Sequence, residues 1–333
     1  MSTAEATDSS NIVIGKDTVI KGDISTAGVV GKTWSGLTNC VSYANVVGSG
    51  NFTNGIAQTG GKSVFYSNCM NYGDVNGADY VAGITSTNSK PSGASEIKVE
   101  NCYNLGNISS TKETVNIGAI SYMTANLFTV ANSYNLGTVK DLSGDKAQFN
   151  ANDTYTNVAY NSENGIAAAE GTTGITGYAA AQFKDRTVVD ALNANDGVEE
   201  TVWYQNTENP DLAFNMTVTS DITVPETLNV TLGKTMKLQA SVTPEDATNK
   251  TLVYTSSDNT IASVKEDGTI SGLKLGTADI TVKAMDTGKE KTVKVTVKEA
   301  EKEPANPTNP AKPSQPTTEK ETSTVATVKK GTK

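Results

Sequence analysis

One short pattern returns four times in the first 140 residues: LTNCVSYANVV from Leu37, YSNCMNYGDVN from Tyr66, VENCYNLGNIS from Val99 and VANSYNLGTVK from Val130. Asn39, Asn68, Asn101 and Asn132 are its equivalent positions, at steps of 29, 33 and 31. A period of this size restricts a chain to stacked, near-identical units. Each unit carries a second β-prone run: AGVVG from Ala27, TNGIA from Thr53, YVAGIT from Tyr80 and NIGAIS from Asn116. Gly and Asn recur too often for helix, and no 3.6-residue apolar stripe is sustained.

Short strands at this period predict an all-β chain that opens with a parallel β-helix. One coil cannot bury its own apolar side, whereas stacked coils about 4.8 Å apart bury it against each other. Val46, Val75, Ile108 and Val139 are then one inward column, and Ile56, Ile84 and Ile120 another. Cys40, Cys69, Cys102 and Ser133 form a third, a slot that wants a small side chain. Three cysteines are an odd number, and their equivalence to Ser133 predicts small buried thiols. Ala44, Gly73, Gly106 and Gly137 suit a close backbone approach. The Asn residues are expected to hold turns by side-chain-to-backbone bonds, or to stack as amide ladders.

Five regions follow. Residues 1–24 are a lead-in or first coil, and residues 25–178 are the repeats, which decay after Lys140. Residues 179–215 are a cap with a short helix around AAAQFKDRTVVDALN. In it Trp203, Tyr204, Pro210, Leu212 and Phe214 are expected to cover the open end of the solenoid. Residues 216–298 are short alternating runs separated by turn residues, an all-β sandwich, with Asp267-Gly268 as a hairpin signal. Residues 299–333 hold five of the nine prolines with Thr, Glu and Lys, a disordered linker that cannot build a core.

Two resemblances attach to these motifs. Residues 25–215 loosely resemble the GLUG-type repeat regions of surface proteins from Gram-positive gut bacteria, whose GGIVG core is echoed in VAGIT and IGAIS. LNVTLGKTMKLQASVTPEDATNKTLVYTSSDNTIASVKEDGTISGLKLGTADITVKA closely resembles the group 2 bacterial Ig-like domain over about residues 221–298, with Tyr254 where that family often has Trp. These resemblances imply a modular, extracellular, bacterial cell-surface protein that serves adhesion or carbohydrate or host-surface binding, with the Ig-like domain as a spacer. Its signal and anchor would lie outside this sequence.

Composition narrows the chemistry. There is no histidine, which removes Ser-His-Asp and Cys-His catalysis and His-ligated metals. Arg186 is the one arginine. A net charge of −9 and a pI near 4.8 argue against nucleic acid. No apolar run is long enough to span a membrane. Asp74, Asp79, Asp141, Asp145 and Asp153 do not recur on successive coils, so no acidic face arises from repeat equivalence. The expectation is therefore no catalytic residue, metal or cofactor, and a possible glycan or host/matrix surface ligand. Among the tyrosines, Tyr43, Tyr72, Tyr103 and Tyr134 align with apolar repeat positions and read as core. Tyr66 and Tyr80 are left as weak ligand candidates. The alternative is a polysaccharide-degrading enzyme or its non-catalytic accessory module. A third reading is a purely structural wall component.

Overall fold

A computed structural model describes residues 9–300, apart from 63, 90–91, 94–95, 114–115, 125–127, 166–171 and 195–201. From residue 301 onward the expected linker lies outside the described residues. Residues 9–161 wind a parallel solenoid of about five turns. Its first sheet joins Ser9–Ser10, Leu37–Thr38, Phe65–Ser67, Ile97–Glu100 and Phe128–Asn135. A second joins Val19–Gly22, Asn45–Gly48, Val75–Gly77, Ile108–Ser110 and Val139–Asp141. A third joins Ser25–Ala27, Phe52–Asn54, Val81–Ala82 and Ile117–Gly118. Residues 9–22 thus form a first coil, and Thr154–Asn161 and Ile175–Tyr178 add parallel strands at the other end.

The column Val46, Val75, Ile108 and Val139 is in register, and all four side chains are buried. Ile56, Ile84 and Ile120 follow each other through backbone bonds of 3.2 and 2.9 Å. Cys40, Cys69 and Cys102 are buried thiols not joined in disulfides. The Cys69 amide donates to Cys102 Sγ, and the Cys102 amide to Ser133 Oγ. Burial raises the Cys69 thiol pKa and keeps it an unreactive thiol.

Two amide ladders run along the coils. Asn11, Asn39, Asn68, Asn101, Asn132 and Asn157 all adopt left-handed backbone, φ 45° to 60°, which Asn tolerates better than most residues. Asn39 donates to Asn11 and Asn68 to Asn39, at 3.1 and 2.9 Å. The second ladder is inside. Asn71 Nδ2 donates to Asn104 Oδ1, Asn104 to Asn135 and Asn135 to Gln148 Oε1, each at 2.7 Å. The same Nδ2 atoms bond the carbonyls of Gly73, Gly106 and Gly137. A Cβ on Gly106 would lie 1.9 Å from the Gly73 carbonyl oxygen, so the coils approach too closely there for any other residue.

The segment after the coils does not cover an open end, as the sequence suggested. Phe183, the helix Thr187–Ala194, Trp203 and Leu212 run as a strap along the flank of the first sheet. They bury its outward column Val41, Met70, Tyr103, Tyr134 and Ala159, forming a second core outside the coil. Such a column would otherwise expose an apolar stripe. Tyr204 is only partly buried, and Phe214 is 43% exposed. Tyr103 donates to Asp211 Oδ1 at 2.8 Å and Tyr134 to the Pro210 carbonyl at 2.5 Å. Tyr43 and Tyr72 pack at the margin of this second core, not in the interior, with ring centroids 4.4 Å apart.

Residues 221–298 form a sandwich. Strands Thr227–Thr231, Leu252–Ser256, Gly276–Ala284 and Glu290–Lys298 make one sheet; Thr235–Lys237, Ala262–Val264 and Thr269–Gly272 make the other. The hairpin at Asp267-Gly268 is present, with Gly268 at φ +79°. The tip of the long hairpin docks on the strap. Arg186 Nη1 donates to the Met285 and Asp286 carbonyls at 2.9 and 2.6 Å, and Nη2 pairs with Asp190. The Gln205 amide donates to the Asp286 carbonyl, and Asn249 Nδ2 to the Gln205 carbonyl.

Candidate functional site

The second sheet presents its outer side to solvent. Strand alternation sends Ile20, Val46, Val75, Ile108 and Val139 inward and Lys21, Val47, Asn76, Ser109 and Lys140 outward, in register. Asn76 Nδ2 donates to Ser109 Oγ at 2.8 Å. A parallel column, Asn45, Asp74, Asn107 and Thr138, is linked by amide and side-chain bonds of 2.8 to 3.2 Å. These bonds fix the polar side chains in place before any ligand arrives.

A cleft of about 520 Å³ crosses this face, lined by Lys21, Val47, Ser49, Asn76, Thr111 and Lys112. It runs from the first coil to the fourth, about 14 Å at strand spacing. An ammonium stands in each of those two coils. Between them lie hydroxyls, an amide and one isopropyl group, a mixture suited to the hydroxyls and C–H faces of a sugar chain.

The two tyrosine candidates part company. Tyr66 is fully buried in the inner core, and its hydroxyl bonds Thr59 and Thr85 at 3.0 and 2.9 Å. It is therefore not a surface ligand group. It shares a column with Leu37, Val99 and Val130, each two residues before the turn Asn; that common offset was the signal in the sequence. Tyr80 is half-exposed two residues beyond Ala78 of the cleft. Its backbone is left-handed, φ +45°, and its ring lies 5.2 Å from Phe52 and 6.5 Å from Tyr122. Asp79 Oδ1 accepts from the Tyr80 amide and from Asn116.

Asp153 lies behind Tyr122, which senses its charge. It is 8% exposed and accepts from Ser121 at 3.0 Å. Burial outweighs the hydroxyl and pushes its carboxyl up to about 7. The folded state then holds a proton that the unfolded state releases near pH 4. Stability should fall as pH rises from about 4 to about 7, by about 4 kcal/mol in total. Asp153→Asn should remove that slope and be the more stable protein at pH 8; urea titrations of both proteins across this range check it. Asp141, Asp221, Asp258 and Asp267, whose carboxyls are lowered by hydrogen bonds and by lysines, act with the opposite sign and below that window. Among the described residues, no group of three His, Cys, Asp or Glu is placed to hold a metal ion, and no helix is long and apolar enough to cross a membrane.

The sandwich is matched over residues 217–297 by the family model described as Bacterial Ig-like domain (group 2). Residues 217–297 are a group 2 bacterial Ig-like domain. This Ig-like domain is about a quarter of the chain. Over 76 residues the chain is 42% identical to a 3-O-alpha-D-galactosyl-alpha-L-arabinofuranosidase of Bifidobacterium longum subsp. longum, covering 22% of this chain and 7% of that protein. Over 61 residues it is 46% identical to an alpha-L-arabinofuranosidase of Bifidobacterium longum subsp. longum, covering 18% and 6%. The chain thus spans less than a tenth of either relative. A Bacteroides ovatus crystal structure, provisionally named an immunoglobulin A1 protease, aligns with a TM-score of 0.40 and 19% identity over 59% of this chain and 55% of that one.

Proposed function

We propose that the chain is a carbohydrate-associated module of a bacterial cell surface. In this reading the solenoid holds a glycan along the polar cleft of its second sheet, and the Ig-like domain carries the solenoid. The observation behind it is the cleft: open, crossing four coils, with Asn76 and Ser49 of its lining already held by hydrogen bonds to Ser109, to the Gly22 carbonyl and to Asp23. Pre-fixed polar groups lower the ordering cost of binding. The arabinofuranosidase names of two relatives favour a carbohydrate setting, although what they share with this chain is short. Binding without catalysis is the favoured reading, because Asp74 and Asp79 are engaged in amide bonds.

The test is a polysaccharide binding screen with the full chain, with reducing-sugar release followed in the same wells. A glycan bound without release is the expected result. Asn76→Trp, which fills the cleft, should weaken it about tenfold or more, equivalent to 1.4 kcal/mol. Unchanged binding by this variant would remove the cleft from the proposal. Sugar release in those wells would instead favour the second reading, hydrolysis.

A further inference from the structure

The chain has two tryptophans in contrasting places. Trp203 is completely buried where the strap meets the flank, whereas Trp34 is 53% exposed. Trp34 follows the strand Val30–Thr33, at the corner where the first coil passes into the second. Phe65, 40% exposed, stands at the equivalent corner one coil on. Glycines seat each of them close to the neighbouring coil's backbone. A Cβ on Gly36 would lie 2.1 Å from the Phe65 ring, so that ring rests directly on the backbone two residues after Trp34. A Cβ on Gly61 would lie 2.2 Å from the Trp34 carbonyl oxygen, so the next coil packs tightly beneath the indole's backbone. Both aromatic residues are therefore mounted on rigid, closely stacked chain.

The surroundings are polar. Lys32 Nζ lies 4.9 Å from the centroid of the Trp34 ring. Lys98 pairs opposite Phe65 and is exposed, with Glu96 and Glu100 exposed on either side of it along the chain. The mixed charges leave no strong local field, so recognition falls to the rings. A specific protein interface buries roughly 800 Å² on each partner around an apolar centre. Two rings among lysines, glutamates and glycines are far smaller than that. Their scale suits the C–H face of a pyranose, whose weakly positive hydrogens meet the negative face of an aromatic ring.

We infer that Trp34 and Phe65 form a saccharide-stacking platform, separate from the cleft of the second sheet, that takes one or two pyranose units of a polysaccharide through their C–H faces. The Lys32 ammonium lies over one face of the indole, 4.9 Å from its centroid, so the pyranose takes the opposite face and the ammonium is a donor to hydroxyls or carboxylates that reach past the ring. This platform does not depend on the cleft being occupied.

Trp203 is sealed from solvent, so acrylamide quenching of the full chain's fluorescence reports on Trp34. The probes are arabinogalactan as a neutral polymer and polygalacturonate as an acidic one. Protection of Trp34 from acrylamide by either polymer is expected. Variant affinities are read by isothermal titration calorimetry, because Trp34→Ala removes the fluorescent reporter and Asn76→Trp adds one. Trp34→Ala should weaken binding about tenfold or more and Phe65→Ala about threefold or more, both retaining a cooperative melting transition. Protection by the acidic polymer alone, lost in Lys32→Gln, would identify an acidic saccharide. Protection by both polymers would identify the shared pyranose face. The inference is overturned if neither polymer protects, if Trp34→Ala binds as tightly as the parent, or if only deglycosylated mucin polypeptide protects. Loss of binding in Asn76→Trp with Trp34→Ala unaffected would leave the cleft as the sole site.

Discussion

Replacing Arg186 by alanine should divide the unfolding of this protein into two transitions. The residue is 8% exposed, and its Nη1 is a donor to both the Met285 and Asp286 carbonyls. Its guanidinium also packs on Gly288, where a Cβ would lie 3.1 Å from Cζ. Truncation strands two buried carbonyls and opens a void, at a cost of about 3–5 kcal/mol. That cost falls on the joint rather than on either core, since the solenoid and the sandwich each bury their own cluster. Calorimetry of the full chain should show the sandwich melting apart from the solenoid in the alanine variant and together with it in the parent. Lysine should restore little, because a single ammonium cannot reproduce the planar fork that spans both carbonyls and Asp190. A single unshifted transition in Arg186→Ala would show the joint to be dispensable.

The second large effect is expected inside the coils. Asn104→Ala removes the donor to the Gly106 carbonyl and to Asn135 Oδ1, and the acceptor for Asn71 Nδ2. All three lie in a completely buried ladder, where an unmade hydrogen bond costs about 1–3 kcal/mol. The expected loss is about 3–5 kcal/mol in urea unfolding, with amide exchange accelerated first around residues 71–75 and 104–108. A loss below about 1 kcal/mol would mean that water enters and replaces the amide. The ladder has a direction, each Nδ2 reaching for the next Oδ1, and Ser42 stands where it would continue past Asn71. Asn71 Oδ1 accordingly has no donor.

The columns of Val46, Ile56 and Cys40 could be read from the sequence because equivalent residues in stacked coils must share an environment. The turn asparagines were legible for the same reason. Tyr66 was misplaced although its column, Leu37, Tyr66, Val99 and Val130, keeps a constant offset from the Asn. The left-handed Asn is the cause. It breaks the two-residue alternation, so Leu37 and Cys40, three apart, both point inward, while Val41 points outward. Simple alternation therefore cannot say which apolar residues lie inside the coil and which lie on its flank. For that reason the strap was expected at an end. The inner ladder was also written in the sequence, as Asn-x-Gly at Asn71, Asn104 and Asn135; the close approach at those glycines was legible, but that the Asn two residues earlier bonds across it was not. The cleft and the Trp34 corner depend on which outward side chains neighbour one another across coils, and one repeat unit does not contain that information.

The strap has a mechanical consequence. It is bonded to the flank through Met70, Tyr103, Tyr134 and Asn157, from the third coil to the strand Thr154–Asn161, and the sandwich grips the strap through Arg186 and Gln205. A pull on the Ig-like domain is therefore shared among several coils at once as shear, instead of arriving at the terminal coil as a peeling force. Parallel coils held only by their neighbours unzip one at a time. A chain tugged by flowing liquid or by a tethered surface would meet that force with many hydrogen bonds in parallel.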